Sequence, residues 1–348
     1  MKKNVLASLV VVLAATGLRG EDEKIAIKVR YAPGTYVVTQ KTEMQSEGTV
    51  LGNPGEKYDT KSRFDMEMRA EEPQPDGHQK ITVAYKHVTH SMAGGGMSVN
   101  YDSAHPEDMS ASLGEEDISS TIGAAYSAIL AVPFEVLLDE AGNVIKVTRM
   151  EKSGETAAEE PPAAANNVGK DSGVEAVKAM FDLLKPLTPG TPVATGDTWT
   201  NIRTKRTPPV GDVDIEIHCT LEEIRQTPEG QLAVIAFEGK GSLKKAKPPE
   251  GAPAAFSLAD LIRSMDTECS GKQTIRVDTG LVVALDMDQT DRIDMLAMDT
   301  DDPERKGVQG ISKSKITIRI TPGAYEPESD SESLTEEPTT TQKPAADQ

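Results

Sequence analysis

One segment of the sequence collects side chains that can bind a soft metal. Residues 90–98 read His-Ser-Met-Ala-Gly-Gly-Gly-Met-Ser, and His105 and Met109 follow. Imidazole and thioether groups are ligands that suit Cu(I). The segment lacks a tight Met-x-x-Met or His-x-Met repeat, and His87 and His90 fall on opposite faces of a regular strand. The sequence therefore favours a Gly-rich loop with loosely packed Met side chains, and it predicts no metal site.

A second segment begins like a calcium-binding loop. Residues 286–291 read Asp-Met-Asp-Gln-Thr-Asp, with oxygen ligands at alternate positions. The sixth position is Asp291 where the loop needs Gly, and the twelfth is Ala297 where it needs a bidentate Glu. A solvated acidic strand end is the favoured interpretation.

Motifs for catalysis are missing from the sequence. It contains no G-x-S-x-G, H-E-x-x-H or phosphate-binding loop. A hydrolase would need a buried pair of carboxylates, for which Glu135, Asp139, Glu216 and Asp278 are the candidates. The sequence predicts a non-enzymatic protein with no catalytic residue and no cofactor.

Cys219 and Cys269 are the only cysteines. In an oxidising compartment they can form a disulfide that closes a long loop and stabilises the fold by about 4 kcal/mol. The alternative is two buried thiols that act as small apolar groups.

The amino terminus indicates export. Lys2 and Lys3 precede an uncharged, mostly apolar run over residues 5–17, and small residues at Gly17 and Gly20 suit signal peptidase. We expect residues 1–20 to be a signal peptide and the mature protein to be periplasmic or extracellular. The run is shorter than the roughly 20 residues of a membrane-spanning helix, and no later stretch is apolar enough, so no integral membrane segment is expected after cleavage.

The charge balance limits the partners. The formal net charge is −19. Nucleic acid and anionic membrane surfaces would repel such a chain.

The patterning of the chain is that of a mainly β protein. Short alternating or β-branched runs predict strands over residues 25–30, 35–42, 62–70, 78–88, 134–138, 144–149, 212–219 and 231–243. In residues 63–68, Phe64, Met66 and Met68 should face the core, while Asp65 and Glu67 should face solvent. Helical spacing predicts helices over residues 119–130, 174–184 and 258–265.

Similar strand and turn patterns recur in the two halves of the chain. Residues 76–85 align with residues 229–237, and residues 134–142 align with residues 273–280. We predict two tandem antiparallel curved-sheet repeats, at residues 21–150 and 174–325. A linker over residues 151–173 and a disordered acidic, Pro/Thr-rich tail over residues 326–348 complete the predicted organisation.

The entry to the second half carries a recognisable motif. Residues 192–199 read P-V-x-x-G-D-x-W. Together with the two terminal hairpins, this motif resembles a family of exported bacterial proteins of unknown function. The resemblance implies a β-rich architecture and brings no activity, ligand or site residue.

Three functions are compatible with these patterns. A curved sheet that buries one aliphatic face can leave a groove for an apolar or lipid-like ligand. The alternative is a structural or adhesive module of the cell envelope that binds another protein, with the tail as a spacer. A hydrolase is the third and least favoured interpretation.

Overall fold

A computed structural model describes residues 24–27, 29–50, 53–112, 116–150, 166–207, 211–245, 262–295 and 308–327. Within these residues the chain forms thirteen strands, two α-helices and one short 3-10 turn. All thirteen strands belong to one antiparallel sheet. The prediction of a mainly β protein is confirmed, and the division into two repeats stays a prediction.

The elements have the following bounds. The strands are β1 (Gly34–Val50), β2 (Asn53–Ala70), β3 (Gln79–Gly94), β4 (Met97–Asp102), β5 (Ser110–Ser112), β6 (Phe134–Leu138), β7 (Val144–Arg149), β8 (Thr198–Thr207), β9 (Gly211–Thr227), β10 (Gly230–Lys245), β11 (Ile262–Arg276), β12 (Val282–Met295) and β13 (Val308–Pro322). The helices are α1 (Glu116–Leu130) and α2 (Asn166–Leu184), and the 3-10 turn is Pro106–Asp108.

The first and last strands meet in the middle of the sheet. The strand order is β5-β4-β3-β2-β1-β13-β12-β11-β10-β9-β8, and β6 and β7 extend from β3. Strands β1 and β13 pair from Tyr36↔Pro322 to Thr49↔Gln309. The two halves of the chain therefore share one continuous sheet, and each half runs between this central pair and one edge.

One face of the sheet carries the core, and we call it the inner face. In β9 the alternation predicted from the sequence is confirmed, because Val213, Ile215, Ile217 and Cys219 are all buried. Phe237, the β10 partner of Cys219, and the buried apolar residues of β1 to β3 belong to the same cluster. Burial of one aliphatic face along every long strand is the main source of stability in such a sheet.

The opposite face of the sheet is less exposed to solvent than the sequence predicts. Asp65 on β2 is 1% exposed, although alternation assigns it to solvent. Its carboxylate accepts a hydrogen bond from Thr39 Oγ1 at 2.7 Å, and Arg63 Nε lies 2.9 Å away. His87 approaches it at 3.4 Å. These neighbours cover Asp65 and compensate for its burial, so the prediction of a solvent-facing Asp65 is wrong.

Both helices pack on the inner face. Tyr126 of α1 stacks on the inner-face residue Tyr101 with ring centroids 5.1 Å apart. In α2, Val177, Met180, Phe181 and Leu184 are buried. The predicted helices over residues 119–130 and 174–184 are confirmed as parts of α1 and α2.

Two predicted boundaries differ from the structure. Helix α2 begins at Asn166, inside the segment predicted as a linker. At Gly173 an added Cβ would lie 2.9 Å from Phe134 Cζ, so only Gly allows the helix to approach the sheet this closely. The helix predicted over residues 258–265 is wrong from Ile262 onward, where β11 begins, and residues 258–261 lie outside the described residues.

The P-V-x-x-G-D-x-W motif forms the turn that leads into β8. Asp197 accepts a hydrogen bond from the Ala194 N–H at 2.9 Å, and its own N–H donates to the Ala194 carbonyl at 3.0 Å. Gly196 adopts a φ of +92°, which favours Gly. Val193 bridges to Ile25, so the motif fastens the start of the second half to the segment before β1.

Several predictions fall on residues that are not described. The predicted signal peptide over residues 1–20 and almost all of the predicted tail lie outside the described residues. Among the described helices, neither is long and apolar enough to cross a membrane.

Candidate functional site

An apolar groove lies between α2 and the second half of the sheet. We call it the α2 groove, and its volume is about 390 Å³. Binding sites for small molecules commonly range from about 300 to 1,000 Å³. Its apolar walls come from α2, the segment after it and strands β9 to β13: Ala179, Leu183, Leu187, Ile215, Ile217, Phe237, Cys269, Leu285, Met287 and Ile316.

The groove exists because α2 covers only part of the inner face. Phe237 and Met287 are 5% and 7% exposed, and they line the groove together with Ile316. On β10, Gly239 pairs with Ile217 on one side and with Cys269 on the other, so no side chain rises between them. The result is an aliphatic floor beneath one helix, with little polar surface to hold water.

Gln273 links the end of α2, which covers the groove, to the sheet beneath it. This residue of β11 is fully buried, and its Oε1 accepts a hydrogen bond from the Leu187 N–H at 2.8 Å. Its Nε2 donates to the carbonyls of Leu183 and Lys185, at 3.4 and 3.2 Å. The side chain of Gln273 therefore ties the end of α2 to the sheet. The same hydrogen bonds satisfy its own amide, as a buried polar group requires.

One end of the groove is polar. Lys205 of β8 lies 3.0 Å from Asp291 Oδ2 on β12. Asp291 also accepts hydrogen bonds from Thr267 Oγ1 and Gln289 Nε2, each at 2.6 Å. The prediction of a solvated acidic strand end is wrong for Asp291, whose side chain is only 15% exposed and which closes a network across the inner face.

Besides Lys205 and Lys178 of α2, Arg203 is a third cation that lines the groove. It lies two residues before Lys205 on β8 and lines the groove with it. Its Nη2 donates a hydrogen bond to the Lys185 carbonyl. Burial lowers the pKa of the Arg203 guanidinium to about 10, while the nearby charge of Asp182 acts in the opposite direction. The guanidinium remains protonated at neutral pH and carries its charge into a largely apolar site.

The two cysteines are buried free thiols near this end of the groove. Cys219 is on β9 and Cys269 is on β11, with β10 between them. Strands two apart in a flat sheet are separated by roughly 9–10 Å, beyond the Cα separation that a disulfide spans. Burial raises the pKa of Cys219 to about 11 and also raises that of Cys269. The arrangement favours two buried thiols over a bridge.

The segment predicted as a Gly-rich loop is a tight hairpin. Gly95 and Gly96 have φ values of +58° and +75° and join β3 directly to β4. His90 lies on the inner face beside Ser62, and His87 lies on the opposite face, 2.7 Å from Asp102. The alternation of the strand correctly places the two histidines apart.

Among the described residues, one small cluster contains side chains of types that can bind a metal. His105, Glu107 and Asp108 bring their ligand atoms within 4.8 Å of one another. All three are exposed, where acidic groups are common without an ion. His218, which alternation places on the polar face of β9, is 68% exposed.

A larger depression of about 520 Å³ lies over the first half of the sheet. Charged side chains line much of it, including Lys41, Lys61, Arg63, Asp102 and Asp108. Water solvates such a surface well, so an apolar ligand gains less there than in the α2 groove.

The four candidate carboxylates of a hydrolase do not line the α2 groove. Glu135 lies 3.3 Å from Lys80, and Asp139 accepts hydrogen bonds from the turn between β6 and β7. Glu216 and Asp278 are exposed in the second half. In their present contacts these side chains act as surface and turn residues.

Neither Arg203 nor the α2 groove is predicted by the sequence patterns. In β8, Asn201, Arg203 and Lys205 pair with inner-face residues of β9, whereas Ile202 is 74% exposed. Apolar alternation would place Ile202 inward, so the pattern gives the wrong face. The inward-facing residues of β9 would place Arg203 on the inner face if the pairing of β8 with β9 were known. That register is known only from the structure.

Within the described residues, the fold and groove define a β protein built on one sheet, with an apolar groove beneath a helix. The model of the Family of unknown function (DUF6263) matches residues 76–282, and the chain belongs to this family. The predicted resemblance to a family of unknown function is thereby confirmed. Comparison with curated protein sequences gives no match.

Solved structures show only partial likeness. A structure of lipid–protein interactions in lipovitellin is 11% identical, with a TM-score of 0.44 over 85% of this chain and 26% of that one. This chain thus spans about a quarter of the lipovitellin chain. An outer membrane channel from Pseudomonas putida F1 is 6% identical, with a TM-score of 0.18 over 84% of this chain and 98% of the channel. The translocator domain of the autotransporter NalP from Neisseria meningitidis is 8% identical, with a TM-score of 0.20 over 83% and 88%. These scores carry no inference about function.

Proposed function

We propose that this protein is a non-enzymatic binding protein that holds an apolar, lipid-like ligand in the α2 groove. The observation that carries the proposal is the apolar lining beneath α2, formed by Phe237, Met287 and Ile316 with their neighbours. Each methylene that leaves water for such a site contributes about 0.8 kcal/mol. A site of this size is large enough for one alkyl chain.

The exposed apolar residues favour this proposal over a protein-binding module. Among the described residues, the large apolar side chains that are exposed are Ile145, Met150, Ile202 and Ile311. Ile145, Ile202 and Ile311 lie on three different strands, β7, β8 and β13, and do not form one surface. Single apolar residues on a surface are ordinary. The structural or adhesive module therefore stays an alternative, for which the described residues present no contiguous apolar surface.

Binding of neutral 1-alkanols tests the proposal without any assumption about a head group. Isothermal titration calorimetry with 1-octanol, 1-nonanol and 1-decanol should give a Kd that falls about fourfold per added methylene. A Kd that does not depend on chain length, or no binding by any alkanol, would contradict an apolar site.

A matched pair of variants on α2 locates the site. Ala179 is exposed and lines the groove, whereas Ala176 is exposed on the same helix and does not line it. Ala179→Phe should fill the groove and weaken decanol binding at least tenfold, while Ala176→Phe should bind as the wild type does. Equal affinities in both variants would place the binding site elsewhere.

We also propose that the protein is exported. The basic residues Lys2 and Lys3 and the apolar run after them support cleavage by signal peptidase. Mass spectrometry of the protein from its native host should show a mature chain that begins after Gly17 or Gly20. An intact amino terminus in all of the recovered protein would contradict export.

A further inference from the structure

Two cations lie at one end of the α2 groove, and they differ in how their charges are compensated. Lys205 is paired with Asp291, and both oxygens of that carboxylate are already engaged by Lys205, Thr267 and Gln289. Asp291 is therefore not available to Arg203. Among the described residues, the carboxylate that acts on Arg203 is Asp182, through its charge and not through a hydrogen bond to Arg203.

Hydrogen bonds to the described residues use only part of the donor capacity of Arg203. A guanidinium has five N–H donors, and one of them binds the Lys185 carbonyl. The thiols of Cys219 and Cys269 have raised pKa values, so they are neutral at physiological pH and do not balance the charge. Asp182, which also lines the groove, contributes electrostatic attraction. A partly buried cation in this state favours an anionic partner.

The position of Arg203 fixes the direction in which a ligand would lie. Arg203 is on β8, the edge strand, and Ile215 is its direct partner on β9. Phe237, Met287 and Ile316 line the groove two residue pairs further along the strands, in register with Cys219 of β9. A charged head at Arg203 would thus lie beside an apolar row that runs from β9 toward the centre of the sheet.

We propose that the ligand is a single-chain amphiphile with an anionic head, a fatty carboxylate, and that Arg203 binds this carboxylate. The inference rests on the proposed function and adds the class of ligand to it. The planar fork of a guanidinium matches the two oxygens of a carboxylate, which a Lys ammonium does not. The acyl chain occupies the aliphatic floor under α2.

The test compares ligands with the same chain and different heads. Decanoate, 1-decanol and decyltrimethylammonium are titrated below their micelle concentrations into the full chain. Hydrogen bonds to charged groups contribute enough for decanoate to bind about tenfold to hundredfold more tightly than decanol. The cationic amphiphile should bind more weakly than decanol.

Variants assign the selectivity to Arg203. In Arg203→Gln the preference for decanoate over decanol should fall to threefold or less, and Arg203→Lys should retain part of it. Arg225→Gln is the charge-matched control, because Arg225 is 57% exposed and pairs with Glu223 away from the groove. That variant should keep the wild-type preference.

The outcomes separate the two proposals. If decanol and decanoate bind the wild type equally, the groove binds apolar chains and the anionic head is refuted. If Arg203→Gln keeps the wild-type preference with an unchanged circular dichroism spectrum, Arg203 is not the binding residue. If neither ligand binds, the proposed function itself fails. The wild-type comparison holds even if a variant does not fold.

Discussion

Replacing Gln273 with Leu tests how firmly α2 is fixed to the sheet. The substitution keeps a side chain of similar size at a fully buried position and removes three hydrogen bonds, to Leu187, Leu183 and Lys185. Leu187 is 2% exposed, so its N–H loses its acceptor without access to water. A buried donor without a partner costs about 1–3 kcal/mol.

The two carbonyls add less to this cost. The contact to Leu183 is long at 3.4 Å, and the Lys185 carbonyl keeps the hydrogen bond from Arg203. The apolar surface gained by Leu offsets part of the loss. We therefore expect Gln273→Leu to lower the free energy of unfolding by about 2 kcal/mol, mainly through the Leu187 N–H.

Urea unfolding followed by circular dichroism measures this change. The midpoint should fall with little change in the slope. Gln226→Leu is the control, since Gln226 is exposed on β9 and its replacement should alter stability by less than about 0.5 kcal/mol. If Gln273→Leu is as stable as the control, the hydrogen bonds do not hold α2 in place and the reasoning is refuted.

Three further results are expected. Phe134→Ala should lower the free energy of unfolding by about 3–5 kcal/mol, because Phe134 is 1% exposed and packs against α2, and a denaturation midpoint equal to that of the wild type would contradict this. Cys219 and Cys269 should react with iodoacetamide at pH 8 far more slowly than an exposed thiol, since burial raises the pKa of both, and stoichiometric labelling of the native protein would count against it. Burial opposes ionisation of Asp102, but hydrogen bonds from the Ala104 N–H and His87 hold the pKa of its carboxyl below 3.8. Asp102→Asn should therefore be less stable than the wild type at pH 7 by up to about 1 kcal/mol, and the difference should vanish as pH falls through the folded-state pKa; a constant difference down to pH 2 would exclude this origin.

The strands could be predicted because their side chains alternate clearly. Strands β6 and β7 have the predicted bounds, and the inner face of β9 is the predicted one. In β6 and β9, apolar residues at every second position permit only one buried face.

The errors arise where one pattern fits two structures. Leu258, Leu261, Ile262 and Met265 have helical spacing, yet Ile262 and Met265 pair with β12 in the sheet. Short apolar runs do not separate a helix from a strand, and pairing with neighbours decides between them. The start of α2 contains Gly173, a poor helix former that predicts a linker, but its close approach to Phe134 explains why Gly is used.

The α2 groove could not be predicted because it depends on pairings distant in sequence. Arg203 reaches the groove through its register with Ile215, and Asp291 meets Lys205 across several strands. No local sequence pattern spans the distances along the chain that these contacts bridge.

The pairing of β1 with β13 sets the order in which the molecule can be completed. These strands come from opposite ends of the described chain, yet they are neighbours at the middle of the sheet. A ribosome delivers β1 early, and this strand then has one unpaired edge until the last strand emerges. Strand pairing over such a long separation folds slowly, and an unpaired edge invites association with other chains. A nascent chain stopped before β13 would therefore expose an edge of β1 to which other chains can pair.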